Sequence, residues 1–201
     1  MLFRSGSSKA GAEIPQQSTQ ASGEEESEMI SLKPGAHVHL IGIAGTAMGA
    51  LAGLLQQNGY HVTGSDTEVY PPISTQLAEM HIPVCEGYRP ENLSPRPDLV
   101  IVGNAISRGN PELEAVLDLK LPYASLPEVL RELFLAQRET IAIAGTHGKT
   151  TVTSIVSWIF HASGLEPGFL IGGVPNNFPR AYESGPADRK STRLNSSHIM
   201  I

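Results

Sequence analysis

The chain reads as an α/β protein, in which a Rossmann-like parallel-sheet domain is followed by the start of a P-loop-type α/β ATPase domain. Three observations predict it. From His37 onward, short apolar runs alternate with stretches of helical periodicity, the pattern of strand–helix–strand units around a parallel sheet. Two glycine-rich turns, beginning at Gly42 and Gly145, each follow an apolar run and open a helical stripe. The 201 residues are 40% hydrophobic and 17% charged, a composition that supports a buried core.

Residues 1–35 are rich in Ser, Gln, Gly and Ala, carry a run of glutamates and lack apolar periodicity, so they are expected to be a disordered extension. No apolar segment follows Met1-Leu2-Phe3-Arg4 as a secretory signal would require, which makes the cytoplasm the default compartment. The first domain is placed at 36–137. Val38 to Ile43 is its first strand; Met48, Leu51, Ala52 and Leu55 then follow helical spacing, and Gly59 stands where a helix-ending glycine belongs. Tyr60 to Thr63 is a second strand closed by Gly64-Ser65-Asp66, Ser74 to Met80 a short helix, and Ile82 to Cys85 a third strand. Leu99 to Val102 is the fourth, followed by Gly103-Asn104-Ala105-Ile106 and a helix start at Asn110-Pro111-Glu112. A short helix around Leu126, Val129, Leu130 and Leu133 ends the domain.

A second unit, the opening of an ATP-binding domain, is placed at 138–187. Thr140 to Ala144 is its strand, and Val152, Ile155, Val156, Ile159 and Phe160 stripe a long helix that ends at Gly164, with Trp158 read as core. Phe169 to Ile171 gives another strand and Gly172 to Asn177 a loop. The polar stretch 188–201 shows no periodicity and is expected to be unstructured, a truncated or foreign terminus.

The sharpest chemical signal is the turn Gly145, Thr146, His147, Gly148, Lys149, Thr150 and Thr151, set between a strand and a helix. Backbone amides of such a loop converge on an anion, the helix N-terminus adds to the field, Lys149 can bridge outer phosphates and the Thr150 hydroxyl can ligate Mg²⁺. The usual phosphate loop has glycine five positions before its Gly-Lys pair, where this chain has Ile143, so the spacing is a shortened variant. His147 either contacts a ligand or only shapes the loop. The turn Gly42, Ile43, Ala44, Gly45, Thr46, Ala47 and Met48 is a weaker match to the dinucleotide pattern, since Ala44 and Ala47 replace its second and third glycines. A diphosphate can still sit at that helix N-terminus. Asp66, preceded by Ser65, stands where such folds hydrogen-bond a ribose, and Asn104, Ala105 and Ile106 share the same sheet edge. The competing reading is a plain strand-to-helix turn with Asp66 as a local cap.

Other chemistries are disfavoured. A net charge of −6 argues against general nucleic-acid binding, and no apolar run approaches the roughly 20 residues of a membrane span. Cys85, alone, excludes an internal disulfide and reads as a small buried hydrophobe, while the seven histidines show no metal-ligand spacing.

With the Gly145 to Thr151 turn, the Gly42 to Gly49 turn and Gly64-Ser65-Asp66, the chain resembles the Mur ligases, ATP-dependent amide-forming enzymes of peptidoglycan synthesis, over about residues 36–182. The resemblance implies ATP and Mg²⁺ at 145–151, with Lys149 and Thr150 as catalytic groups, and UDP-N-acetylmuramate at 42–48, Ser65, Asp66 and 104–106. Val69 to Thr75, Gly103 to Ala105 with Arg108 to Pro111, and Ile171 to Pro175 are similar to the branch that joins this sugar nucleotide to the tripeptide L-alanyl-γ-D-glutamyl-meso-diaminopimelate, in murein recycling, through an acyl phosphate. The branch that adds L-alanine is the alternative. In this family the remaining metal ligands and the acceptor-binding domain lie further along the chain, so the 201 residues alone are expected to be inactive. Two readings of other classes remain: an NAD-binding Rossmann oxidoreductase, which leaves Gly148-Lys149-Thr150 unexplained, and a nucleotide-binding regulatory module.

Overall fold

The computed structural model describes residues 30–136 and 138–185, together with the backbone of 198–200. The expected disordered extension, apart from its last residues, and most of the tail therefore lie outside the described residues. The first domain runs β1 (His37–Ile41), α1 (Thr46–Gln57), β2 (His61–Asp66), α2 (Ile73–Glu79), β3 (Val84–Glu86), a 3-10 turn (Pro90–Leu93), β4 (Leu99–Val102), α3 (Pro111–Asp118) and β5 (Tyr123–Ser125). It closes with α4 (Leu126–Val129), which continues as a π-helical stretch, Leu130–Leu135. The five strands form one sheet in the order β3-β2-β1-β4-β5, with every neighbouring pair parallel.

β1 sits at the centre because both of its faces are covered. Val38, Leu40 and Ile41 are fully buried, as an interior parallel strand requires. The small residues of α1 let that helix approach its neighbours closely: a Cβ on Gly49 would lie 2.4 Å from the Ile73 side chain, and one on Gly53 would lie 2.1 Å from the Tyr182 ring. Gly59, at φ 84°, ends the helix as expected. Asn110 caps α3, its side-chain oxygen accepting from the Glu112 and Leu113 amides at 3.0 and 3.1 Å.

The second unit comprises β6 (Glu139–Ile141), α5 (Lys149–Ala162), β7 (Gly168–Leu170), β8 (Tyr182–Glu183) and β9 (His198–Met200). Its sheet order is β6-β9-β7-β8, with β7 and β8 antiparallel. Three expectations are corrected. Residues 198–200 form a strand rather than continuing an unstructured tail, because β9 pairs in parallel with both β6 and β7 and so satisfies backbone groups on two strands at once. Cys85 is exposed rather than buried, since β3 is the edge strand. Trp158 is 44% exposed; α5 turns Thr153 and Ser157 inward and leaves Val152, Ile155, Trp158 and Ile159 open, so the indole rests on Phe178 at the surface instead. β5 and β8 were not legible, being three and two residues long with little apolar content.

The two units meet through Tyr182, whose hydroxyl donates to the Met80 sulfur at 2.9 Å beside α1, and through a Gln57–Glu183 hydrogen bond. Within the first domain Gly64 is packed against backbone as well as side chain: an added Cβ would lie 2.6 Å from the Ile43 side chain and 2.8 Å from the Leu40 carbonyl. Gly64→Ala is therefore expected to destabilise the chain by about 1–3 kcal/mol through overpacking, a loss that urea unfolding would register as a lower midpoint with an unchanged slope.

Candidate functional site

At the carboxyl edge of the sheet the strand order reverses: the chain leaves β1 towards β2 and later returns as β4 on the other side. The crevice so formed is the usual ligand position in open parallel sheets. Gly42, with φ 85°, starts the turn, and the Gly42 and Ile43 amides both donate to the Ser65 carbonyl, at 2.8 and 3.2 Å. The turn is thus anchored to the end of β2. Gly45, Thr46 and Ala47 are exposed at the start of α1, which has neither a side-chain cap nor an acidic residue in its first turn. Its first amides lie at the crevice, with the Asp66 carboxylate accepting from Ala44 just ahead of them.

The crevice is a cavity of about 770 Å³, walled by the Gly42 turn with Met48, by Asp66 and Tyr88, and by the loop 103–110. Asn104 and Ala105 are exposed on its rim, and the part-buried Ile106 packs against Gly42. Two expected contacts are corrected. The Ile43 side chain is fully buried against Gly64, so only its backbone is near the turn. Ser65 is also fully buried, and its hydroxyl donates to Glu112 at 2.9 Å instead of facing the cavity.

Asp66 lines the cavity, yet its carboxylate is already engaged. One oxygen accepts from the Ala44 amide at 2.9 Å; the other accepts from the Thr67 amide at 2.8 Å and the Tyr88 hydroxyl at 3.1 Å. It latches three segments of the rim together. The Tyr88 phenol is pushed up to about 12, first by loss of hydration and then by the Asp66 carboxylate, which disfavours a second negative charge beside it.

In the second unit, Gly148 adopts a left-handed conformation, φ 75°, immediately before α5, and its carbonyl accepts the Val152 amide at 2.9 Å. The whole turn from Gly145 to Thr151 is exposed. The Lys149 ammonium donates to the Gly145 carbonyl at 2.5 Å and the Thr146 carbonyl at 3.3 Å, placing a cation over the loop. His147 contacts only the neighbouring Thr146 hydroxyl, at 3.3 Å, among the hydrogen bonds described. Gly173 lies beside the Thr150 methyl group, 3.5 Å from an added Cβ, so the Gly172-Gly173 loop flanks the Gly145 to Thr151 turn. A second cavity, of about 1190 Å³, extends from Ala44, Thr46 and Glu68 to Gly173, Val174 and Arg180. Ala44 and Glu68 border both cavities, and the larger one reaches Gly173, which lies beside Thr150.

Sequence reasoning missed one feature entirely. His39 and Glu112, 73 residues apart, are both fully buried and joined by a 2.6 Å hydrogen bond. No local signal reveals such a pair, because Glu112 reads as an ordinary acidic residue in a helix's first turn. Tyr88 was equally invisible, since only folding brings it to Asp66.

Among known families, the model described as "Mur ligase family, catalytic domain" matches residues 37–138. The UDP-N-acetylmuramate–L-alanyl-γ-D-glutamyl-meso-2,6-diaminoheptandioate ligase of Escherichia coli K12 is 50% identical over 151 residues, which is 75% of this chain and 33% of that protein. The crystal structure of a murein peptide ligase from Psychrobacter arcticus superposes with a TM-score of 0.77 at 44% identity, covering 83% of this chain and 37% of that one. The UDP-N-acetylmuramate–alanine ligase of Thermotoga maritima gives 0.71 at 27% identity, covering 82% and 36%. The chain spans about one third of the length of the curated relatives it matches.

The loss of hydration at Tyr88, reinforced by the Asp66 carboxylate, sets an alkaline signature. A phenol whose folded value lies near 12 rather than 10.0 contributes stability that is complete below pH 10 and lost as pH rises towards 12. Tyr88→Phe is expected to flatten that part of the stability profile, and ultraviolet titration of the native chain should then lack its latest-ionising tyrosine.

Proposed function

The chain belongs to the Mur ligase family, and from that premise we propose that it supplies the UDP-sugar-binding domain and the opening of the ATP-binding domain of a C–N bond-forming ligase. The full enzyme would join the lactyl carboxylate of UDP-N-acetylmuramate to the amine of L-alanyl-γ-D-glutamyl-meso-diaminopimelate. The observation that carries this reading is that the cavity lined by Ala44 and Thr46 reaches Gly173, which lies against Thr150, because a ligase of this kind must span its substrate between a nucleotide-diphosphate site and a phosphoryl donor.

A carboxylate is a poor electrophile. Transfer of the γ-phosphoryl group of ATP to a carboxylate oxygen gives an acyl phosphate and ADP; amine attack then forms the C–N bond, expels phosphate and releases the amine proton. Phosphoryl transfer depends on positioning and charge stabilisation more than on covalent help from the protein. The Gly145 to Thr151 amides, the left-handed Gly148 and the Lys149 ammonium are suited to hold the outer phosphates. Mg²⁺ accompanying ATP would neutralise charge on the transferring group. The exposed Thr150 hydroxyl fits as its protein ligand, since this ion keeps water and phosphate oxygens as most of its shell. At the other end, the α1 N-terminus and the Gly42 turn would receive the diphosphate, with Asn104 to Ile106 beside the nucleoside or sugar.

The higher identity to the murein peptide ligase than to the alanine ligase, 44% against 27%, supports the tripeptide over L-alanine as acceptor. The reaction would then serve murein recycling, in the cytoplasm, where ATP and sugar nucleotides reside. No helix among the described residues is long and apolar enough to cross a membrane, and the net charge of −6 favours small-molecule partners over nucleic acid.

Titration calorimetry of the chain is expected to show binding of UDP-N-acetylmuramate and none of NAD; the reverse pattern would replace the ligase with an oxidoreductase. Lys149→Ala is expected to weaken Mg-ATP binding about tenfold or more while leaving the sugar nucleotide unaffected. Unchanged ATP affinity would remove the phosphate-loop assignment.

A further inference from the structure

We propose that Glu112 is a positioning residue for the nucleotide cavity, its buried carboxylate fixing the loop 103–110 against the other cavity walls. Both of its oxygens are saturated. Oε1 accepts from His39 Nε2 at 2.6 Å and from the Ser65 hydroxyl at 2.9 Å; Oε2 accepts from Asn92 Nδ2 at 2.9 Å and the Arg89 amide at 3.3 Å. Donors arrive from β1, β2 and the 3-10 turn that follows β3, while the carboxylate itself belongs to the first turn of α3. One group therefore references four segments to each other.

The neighbours of these donors make the arrangement relevant to the cavity. Ser65 precedes Asp66 and through its carbonyl holds the Gly42 and Ile43 amides. Arg89 follows Tyr88, and Glu112 stands two residues after Asn110, the end of the loop 103–110. Asp66 and Tyr88 are thus each one residue from a donor to Glu112, the Gly42 turn hangs from the Ser65 carbonyl, and the loop 103–110 ends two residues before Glu112 itself. His39 is itself oriented from behind. Its Nδ1 lies 2.8 Å from the Thr63 hydroxyl, which is also 2.8 Å from His37 Nε2. The contacts therefore run from His37 through Thr63 and His39 to the carboxylate, tying the amino edge of the sheet to Glu112.

Anchoring α3 does not by itself require a charge. Val116, one turn further along, is fully buried in a purely apolar setting. Burying a carboxylate is costly unless every lone pair is matched, and a well-packed apolar side chain would usually serve stability as well. What the carboxylate adds is direction: four hydrogen bonds with defined geometry, next to the loop that must hold its shape.

The inference deepens the nucleotide-binding reading above, and the test separates the two. Glu112→Gln turns an amide NH₂ towards two donors, and Ser65→Ala deletes a single donor without disturbing the fold. Hydrogen exchange of the 201-residue chain without ligand is expected to accelerate about tenfold in 103–110 and around Tyr88 in Glu112→Gln, and less in Ser65→Ala. Exchange in β5 and α4 is expected to be unchanged, and affinity for UDP-N-acetylmuramate to fall about tenfold. Acceleration spread over the whole domain, or none in the loop, would overturn the proposal by making Glu112 a stability element only. If Glu112→Gln does not fold, Ser65→Ala decides alone. Should the unmodified chain fail to bind UDP-N-acetylmuramate, the functional reading falls, while the exchange comparison still decides the role of Glu112.

Discussion

The structure depends on the parallel pairing of β1 with β2 on one side and β4 on the other. A strand that is buried on both faces and paired at both edges has no freedom of register, and the connections that leave and re-enter it must pass to opposite sides. A crevice at its carboxyl end follows from topology alone. The apolar run Val38 to Ile41, with its neighbours Val62, Leu99 and Ile101, supplies the burial that holds this geometry, and the Gly42 turn is delivered to the crevice as a consequence.

Topology makes the crevice but does not define its walls. Those are loops, which move unless their polar groups are tied down. Here the ties are carboxylates. Asp66 gathers the Ala44 and Thr67 amides and the Tyr88 hydroxyl, and Glu112 gathers His39, Ser65, Asn92 and the Arg89 amide. Among the described residues no buried side-chain nitrogen or oxygen lacks a partner, so these buried polar groups add rigidity without an unmatched desolvation cost. A bound diphosphate would then meet preset amides, with less loop ordering needed at the moment of binding.

Most of the fold was legible because its signals are local. Apolar runs located β1, β2 and β4, spacing located α1 and α5, and glycines at 42, 59 and 148 marked turns that the backbone makes with positive φ. Residues at the crevice were legible where the backbone turn itself forms the wall. Side chains were harder to place: Ile43 and Ser65 follow glycine-rich or strand-end positions in sequence, but the alternation of a strand and the close packing at Gly64 turn them inward. The His39–Glu112 pair and the placement of β9 depend on partners far apart in sequence, 73 residues in the first case and strands β6 and β7 in the second, which no local pattern encodes.

The proposed function divides the labour between two glycine-rich turns on separate units: the first domain would hold a nucleotide-linked sugar at the Gly42 turn, and the second would begin a phosphoryl-donor site at the Gly145 turn. Amide chemical-shift mapping on the isotopically labelled chain tests that division most directly. UDP-N-acetylmuramate should shift the amides of Gly42 to Met48 and Gly103 to Ile106 and leave those of Gly145 to Thr151 in place, whereas Mg-ATP should do the opposite. Both ligands perturbing the same turn, or the sugar nucleotide perturbing only Gly145 to Thr151, would contradict the account.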